Sequence, residues 1–510
     1  MTQSATPIRG TPRRQSVSVQ EPTQTGQLGG KRKLTLVDAI AQSIGFMGPV
    51  FSIAFLVPLL VGLNASGKGA GAAAPLAVLL AAIGVLGLGW IVAEYAKRIH
   101  AAGSLYDYVT DGLGNRVGAA AGFLYYVGIL ALGAGLLVMI GGTIYDTLAA
   151  EFNVTPLPRT GWMLVVFVLL AVVLYLGVAL STRAQLALAL VSITVVLIFF
   201  VHVIISVGSD NDIAKAFNPS SSPQGLSGVL FGVLYGVLLF TGFETAANLG
   251  EETAHPKRDI PRAVLFSVLF IAGFYIIGAY AQISGFHFSL DAIGKNAGAP
   301  LFGLAGPGSE GGFGSIGVRR LLELVVILDM LAVLIGCSVA ASRGFFAMGR
   351  DERLPKPLGK VSSKGTPMTA SIVVLALYLV VVALAKLWVG LFAIPGLPHY
   401  VAMFSWMSTL GSVALATIYL LMSIGAIRGL ADLASPWKVY LAAAVGIVMT
   451  GAAIFGSIYQ VQAPTIWAPW AAAGVLVAGF ALTYIFTGRP STGAPEFAGL
   501  VEADQGPQKL

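Results

Sequence analysis

Cysteine is nearly absent. The 510 residues include one, Cys337, inside an apolar run. A single cysteine excludes a disulfide framework and a cysteine metal site, so Cys337 reads as a small packing residue. Charge is scarce too: Asp, Glu, Lys and Arg make up 10% of the chain, whereas soluble proteins carry about 25%. There is no HExxH, no GxSxG, no paired His–carboxylate cluster and no GxxxxGK loop. Nothing therefore supports bond chemistry, and the chain is not read as an enzyme or an ATP-driven pump. The first thirty residues lack the apolar core of a signal peptide. The net charge of +7 comes from basic residues that punctuate apolar segments and form no single patch, which excludes nucleic acid as a partner.

What remains is apolar: 56% of residues are hydrophobic. A membrane-spanning helix needs about 20 such residues in a row. Twelve segments qualify: 37–63, 72–95, 117–145, 162–180, 184–207, 226–249, 263–285, 321–347, 369–391, 399–424, 437–459 and 465–487. The expectation is an all-α polytopic membrane protein, because a barrel would show short alternating segments instead. With the N-terminus inside, 23 of the 30 Lys and Arg residues fall on the inner side and 7 on the outer. That bias predicts an even number of spans, a cell-membrane location and cytoplasmic termini. Residues 1–33 read as a disordered cytoplasmic tail rich in Ser, Thr, Gln, Gly and Pro, and 489–510 as a shorter one. Two connections are long: a Gly-rich outer one at 286–318, which could hold a lid, and a basic inner one at 348–368.

The first segment contains SIGFMGPVFS, residues 43–52, with Gly45, Gly48 and Pro49 at its centre. Gly and Pro break helices, and a free backbone polar group in hydrocarbon costs several kcal/mol. The sixth segment has a second break, Phe240-Thr241-Gly242-Phe243-Glu244-Thr245. It places an ionisable residue, Glu244, near mid-membrane, which is expensive and usually functional. Breaks in the first and sixth segments mark two related halves, helices one to five and six to ten. A half-helix N-terminus can hold a carboxylate, and the C-terminal end of the other half can hold a cation or an amine. A ligand is thus expected to satisfy the broken backbone.

The stretch FTGFETAANLGEETAHPKRDIPRAV, Phe240–Val264, resembles the sixth helix and following loop of the amino acid–polyamine–organocation (APC) permeases. The matching features are GFE, GEE, His-Pro-Lys and Ile-Pro-Arg-Ala. AGSLYDYVTDGLG (Ala102–Gly114) is similar to the loop before the third helix of that family. SRGFFAMGRDERLPKPLGKVSSKGTP (Ser342–Pro367) is similar to the end of its eighth helix. The resemblance spans residues 35–485. It implies the LeuT-type five-plus-five inverted repeat with two added helices. The transporter domain would be 34–488, with repeat one at 37–207, repeat two at 226–424 and extra helices at 437–487.

The resemblance also implies a site. Substrate would lie on Ile44, Gly45, Phe46, Met47 and Gly48 of the first helix and on Phe240, Thr241 and Gly242 of the sixth, with Phe240 or Phe243 as a gate. Glu244 matches an acid that links conformational change to protonation in some members. Some proton-coupled relatives carry a fifth-helix lysine in place of a sodium ion. Counted from Ser181-Thr182-Arg183, that position falls at or near Ser192, and the fifth helix has no lysine. Three options stay open: sodium, protonation of Glu244 or another acid, or exchange without an ion. A sodium site wants hard oxygen ligands. Ser338 and Ser342 share one face of the eighth helix and could supply them with first-helix carbonyls. Asp329, eight residues into the eighth helix, could receive a cationic group if it faces the cavity. An inner gate is expected among Asp38, Glu94–Arg98, Glu251, Glu252 and Arg350–Arg353. No cofactor is expected beyond a coupling H+ or Na+. The partners are lipid and a small molecule: an amino acid, a polyamine or another amine. The leading function is a secondary active transporter, and the alternative is an amino acid sensor on the same fold.

Overall fold

Thr35 starts the first helix with a capping box. Its hydroxyl faces the Asp38 N–H, while the Asp38 carboxylate accepts the Thr35 N–H at 2.9 Å and hydroxyl at 2.8 Å. From there the computed structural model is a bundle of helices. It describes residues 28, 33–63, 67–296, 298–362, 365–394, 398–431, 435–459, 461–486 and 488. The tails expected at 1–33 and 489–510 lie outside the described residues, apart from Leu28 and Lys33.

Among the described residues, twelve helical stretches are long and apolar enough to cross a membrane. In order they are Leu36–Val61, Gly71–Ala96, Asn115–Phe152, Arg159–Leu176, Thr182–Asp210, Gly225–Glu252, Pro256–Gly285, Ile316–Arg350, Met368–Leu387, His399–Gly429, Pro436–Ile458 and Trp467–Ile485. Each matches one expected segment, and they are called the first to twelfth spans below. No strand forms among the described residues; two isolated bridges, Leu34–Thr253 and Pro307–Gly314, are the only sheet-like pairings there. One boundary differs from expectation. The fourth span ends at Leu176, and the next helix already begins at Val178. The chain turns at Gly177, with φ at 105°, rather than at Ser181–Arg183.

The spans sort by exposure. Side chains of the first, third and eighth are mostly buried, whereas Val168, Ile198, Ile205, Ile372, Val448 and Val477 point outward from the peripheral ones. That apolar girdle suits lipid, and it leaves the centre to be held by close packing rather than by exclusion of water. A Cβ at Gly128 of the third span would lie 2.4 Å from Ala414 of the tenth, so the two backbones meet closely. The connection after the seventh span folds into short helices at Leu290–Lys295 and Pro300–Ala305. Leu301 and Leu304 are buried, and the Phe302 ring stands edge-on to Phe55 at 6.3 Å. This connection therefore lies over the far end of the first span.

Candidate functional site

The first span is two helices. Leu36–Met47 ends and Pro49–Val61 begins at a single hinge, Gly48, with φ 55° and ψ 64°. A Cβ there would lie 2.2 Å from Val333, so the left-handed conformation and the tight contact both require glycine. Every N–H in the break has an acceptor. Gly48 N–H bonds Ile44 O at 3.3 Å, Pro49 has none, and Ser52 N–H bonds Gly48 O at 2.8 Å. The two donors in between, Val50 and Phe51, both bond Asp329 Oδ2, at 2.9 and 2.8 Å. The free N-terminus of the half-helix is thus capped by a carboxylate from the eighth span, 279 residues away. A ligand was expected to satisfy this backbone; the protein does so itself. Asp329 is fully buried, and its other oxygen, Oδ1, has no hydrogen-bond partner.

The sixth span is also interrupted, differently. Its helix runs Gly225–Leu239, passes Phe240 and Thr241, and turns at Gly242, with φ 105°. A ten-residue 3-10 run, Phe243–Glu252, follows. So long a 3-10 run is uncommon, because its hydrogen bonds are poorer. The two breaks touch. Ser43 Oγ donates to Phe243 O at 2.7 Å and accepts from Ala246 N at 3.1 Å. Thr245 Oγ1 donates to Gly242 O at 2.7 Å. The Phe46 ring packs against Gly242, where a Cβ would come within 2.0 Å of it.

Glu244 is the second residue of the 3-10 run and is fully buried. Tyr125 of the third span donates to its Oε1 at 2.8 Å, and Tyr419 of the tenth to its Oε2 at 2.5 Å. Nothing in the sequence around Glu244 signals these phenols, which lie 119 and 175 residues away. The expected gate aromatics sit in packed positions: Phe240 edge-on to Tyr275 at 5.2 Å, and Phe243 against Tyr419 at 5.4 Å. The half-buried Phe51 instead reaches across to Phe404 of the tenth span at 5.4 Å and to Phe55 at 5.3 Å.

In the fifth span, Gln185 stands beside the first helix just before the break. Gln185 packs on Gly45 and donates through Nε2 to Ala332 O at 3.1 Å. Ser192, seven residues on, bonds Leu188 O and Val325 O, each at 2.8 Å. Gln42 repeats the Gln185 pattern, donating to Gly336 O at 3.2 Å. Ser338 and Ser342 do share a face. The Ser338 hydroxyl bonds Leu334 O at 2.7 Å and meets the Tyr378 hydroxyl at 3.1 Å, and Ser342 bonds Ser338 O at 2.7 Å.

The end of the bundle carrying Leu34 is tied shut. Leu34 N–H bonds Glu252 O at 2.8 Å, and Ala254 N–H bonds Leu34 O at 2.9 Å. Arg343 holds the Glu252 carboxylate at 2.6 and 3.3 Å, with both groups buried. Arg350 holds Glu251 in a fork at 2.8 and 3.0 Å. Tyr106 bonds Asp351 at 3.0 Å, and burial pushes the Asp351 carboxyl up to about 6 against the pull of Arg350. Of the expected inner charges, Glu251, Glu252 and Arg350 form this tie. Asp38 is a helix cap, Glu94 and Lys97 pair along one helix, and Arg98 pairs with Asp111.

Comparison with known proteins follows this geometry. The family model described as amino acid permease matches residues 42–489. The branched-chain amino acid permease BcaP of Lactococcus lactis is 25% identical over 347 residues, covering 66% of this chain and 72% of that protein. BcaP of Bacillus subtilis is 25% identical over 332 residues, covering 60% of this chain and 67% of its own. Among solved structures, a manganese transporter of Eremococcus coleocola superposes with a TM-score of 0.53 at 13% identity, over 89% of this chain and 93% of that one. The last likeness is one of fold.

Proposed function

Because this chain belongs to the amino acid permease family, we propose that it is a secondary active transporter that moves an amino acid or a related amine by alternating access. It is an integral membrane protein of twelve spans and a transporter by family, not an enzyme. On this reading the substrate lies against the broken backbone of the first and sixth spans, at Ile44–Gly48 and Phe240–Gly242. The first five spans and the next five form an inverted repeat, with the termini in the cytoplasm. The observation that carries the reading is the meeting of the two breaks, with Ser43 bridging Phe243 and Phe46 lying on Gly242. Interrupted helices that meet near mid-membrane are the usual seat of a transported solute.

The ties Arg343–Glu252 and Arg350–Glu251 close the end that bears Leu34. We read that end as the cytoplasmic gate, which must part when the site opens inward. Coupling divides between H+ and Na+. Glu244 is the acid for the first. Ser338 and Ser342 are the hydroxyls for the second, although both are committed to helix carbonyls here. The names of the two permease relatives speak for a branched-chain amino acid; the carboxylate at the first break speaks for a cation.

The test is uptake into proteoliposomes by the purified full-length chain. Radiolabelled amino acids and amines would each be run with a sodium gradient, a proton gradient, or neither. Accumulation driven by one gradient is expected. Specific binding with no flux under any gradient overturns the transporter reading in favour of a sensor.

A further inference from the structure

A helix N-terminus attracts an anion because its first N–H groups have no partner within the helix and its dipole end is positive. The α-carboxylate of an amino acid would use those groups. At Pro49–Val61 both available donors, Val50 and Phe51, are already spent on Asp329 Oδ2, and Pro49 offers none. A second carboxylate brought there would find no donor and would meet a like charge in a medium of low dielectric.

Four side-chain oxygens near this break are left over. Asp329 Oδ1 has no partner, nor have the Oε1 atoms of Gln42, Gln185 and Gln282, and all four residues are fully buried. The amide orientations are not arbitrary. Each Nε2 faces a carbonyl: Gly336 O for Gln42, Ala332 O for Gln185 and Ile53 O for Gln282 at 3.0 Å. A flipped amide would set oxygen against oxygen, so the unpartnered atom is the acceptor. Gln42 and Gln185 lie before Gly48 and Gln282 beside Ile53 after it, which places acceptors on both sides of the hinge. A buried acceptor left unmet is costly, and a buried anion more so. Among the described residues no Lys or Arg pairs with Asp329.

Resting on the transporter reading above, we propose that the substrate is a cationic amine without an α-carboxylate, of the kind left when an amino acid is decarboxylated. The Asp329 carboxylate occupies the seat that the substrate's own carboxylate would take, and its free oxygen receives the ammonium N–H. A zwitterion needs donors for its carboxylate as well as acceptors for its amine; this break supplies only the acceptors. Chemically, the reaction that supplies such a substrate removes CO2 from an amino acid.

Matched pairs test this. Leucine against 3-methylbutylamine, arginine against agmatine, and ornithine against putrescine each differ by one carboxylate. Binding to the purified full-length protein would be followed by scintillation proximity and by ligand-induced thermal shift. In the pair that binds, the amine is expected to bind at least tenfold more tightly than its parent. Asp329→Asn keeps an acceptor for Val50 and Phe51 but loses the charge, and it is expected to weaken amine binding about a hundredfold. Asp329→Gly clears the seat and is expected to gain binding of the parent amino acid. Wild-type protein that binds the parents as tightly as the amines, or that binds no amine, overturns the proposal whatever the variants do. Flux separates the two readings. An amine bound but never carried sinks transport and leaves the substrate class standing; parent amino acids carried at full rate do the reverse.

Discussion

The two interrupted spans solve the same problem in different ways. The first breaks at one residue, Gly48, and borrows its cap from the eighth span. The sixth breaks over three residues and carries its own acid, Glu244, on the next turn. Glu244 spends both oxygens, one on Tyr125 and one on Tyr419; Asp329 spends one oxygen on two backbone donors and keeps the other. A carboxylate with both oxygens bonded to protein is suited to hold a structure or a proton. A carboxylate with an oxygen in reserve is built to meet something that arrives.

The largest blow to both breaks falls at Gly242. Gly242→Val would drive a side chain into the Phe46 ring at a left-handed position. Uptake is expected to fall to background while surface biotinylation shows normal insertion. Normal uptake would sink the two-break site. Next comes the contrast between the acids. Asp329→Asn is expected to cost about a hundredfold in substrate binding, whereas Glu244→Gln leaves binding within about threefold and flattens the pH profile of uptake. An unchanged profile would remove Glu244 from coupling. The phenols around Glu244 should matter less. Tyr419→Phe leaves Oε2 without its donor, which costs about 1–3 kcal/mol; a lowered melting temperature in detergent, with binding retained, is the expected signature. If coupling runs through Glu244, Ser338→Ala and Ser342→Ala are expected to change uptake less than twofold at any sodium concentration. A loss of sodium dependence would reinstate the pair as ion ligands.

The spans were legible because hydropathy needs no knowledge of neighbours, and the breaks because Gly and Pro act locally. Gly48 and Gly242 are hinges wherever the chain goes. Asp329 stood out as an acid in hydrocarbon, yet its role as the cap of Val50 and Phe51 joins positions 278 and 279 residues apart, and no periodicity reports that. Gln185 carries no signal of its own, and Ser192 is reached only by counting along the chain. The two lie seven residues apart, about two helical turns, so both point the same way, and counting from Ser181–Arg183 cannot choose the level. The helix in fact begins at Val178, after Gly177. Tyr125 and Tyr419 carry no mark of their own among the other aromatics of their spans.

The Asp329 carboxylate, fixed between the first and eighth spans, has an electrical corollary. If the substrate is a monovalent cation, its charge and that of Asp329 cancel, and the loaded carrier would reorient almost without regard to the membrane potential. Emptied, it carries one negative charge into the field, where each elementary charge moved across 100 mV changes the energy by about 2.3 kcal/mol. A cell interior that is negative then pushes the empty carrier outward, back to where the next cation waits. Voltage would thus set the pace of the return stroke, and currents measured at saturating amine would rise with hyperpolarisation.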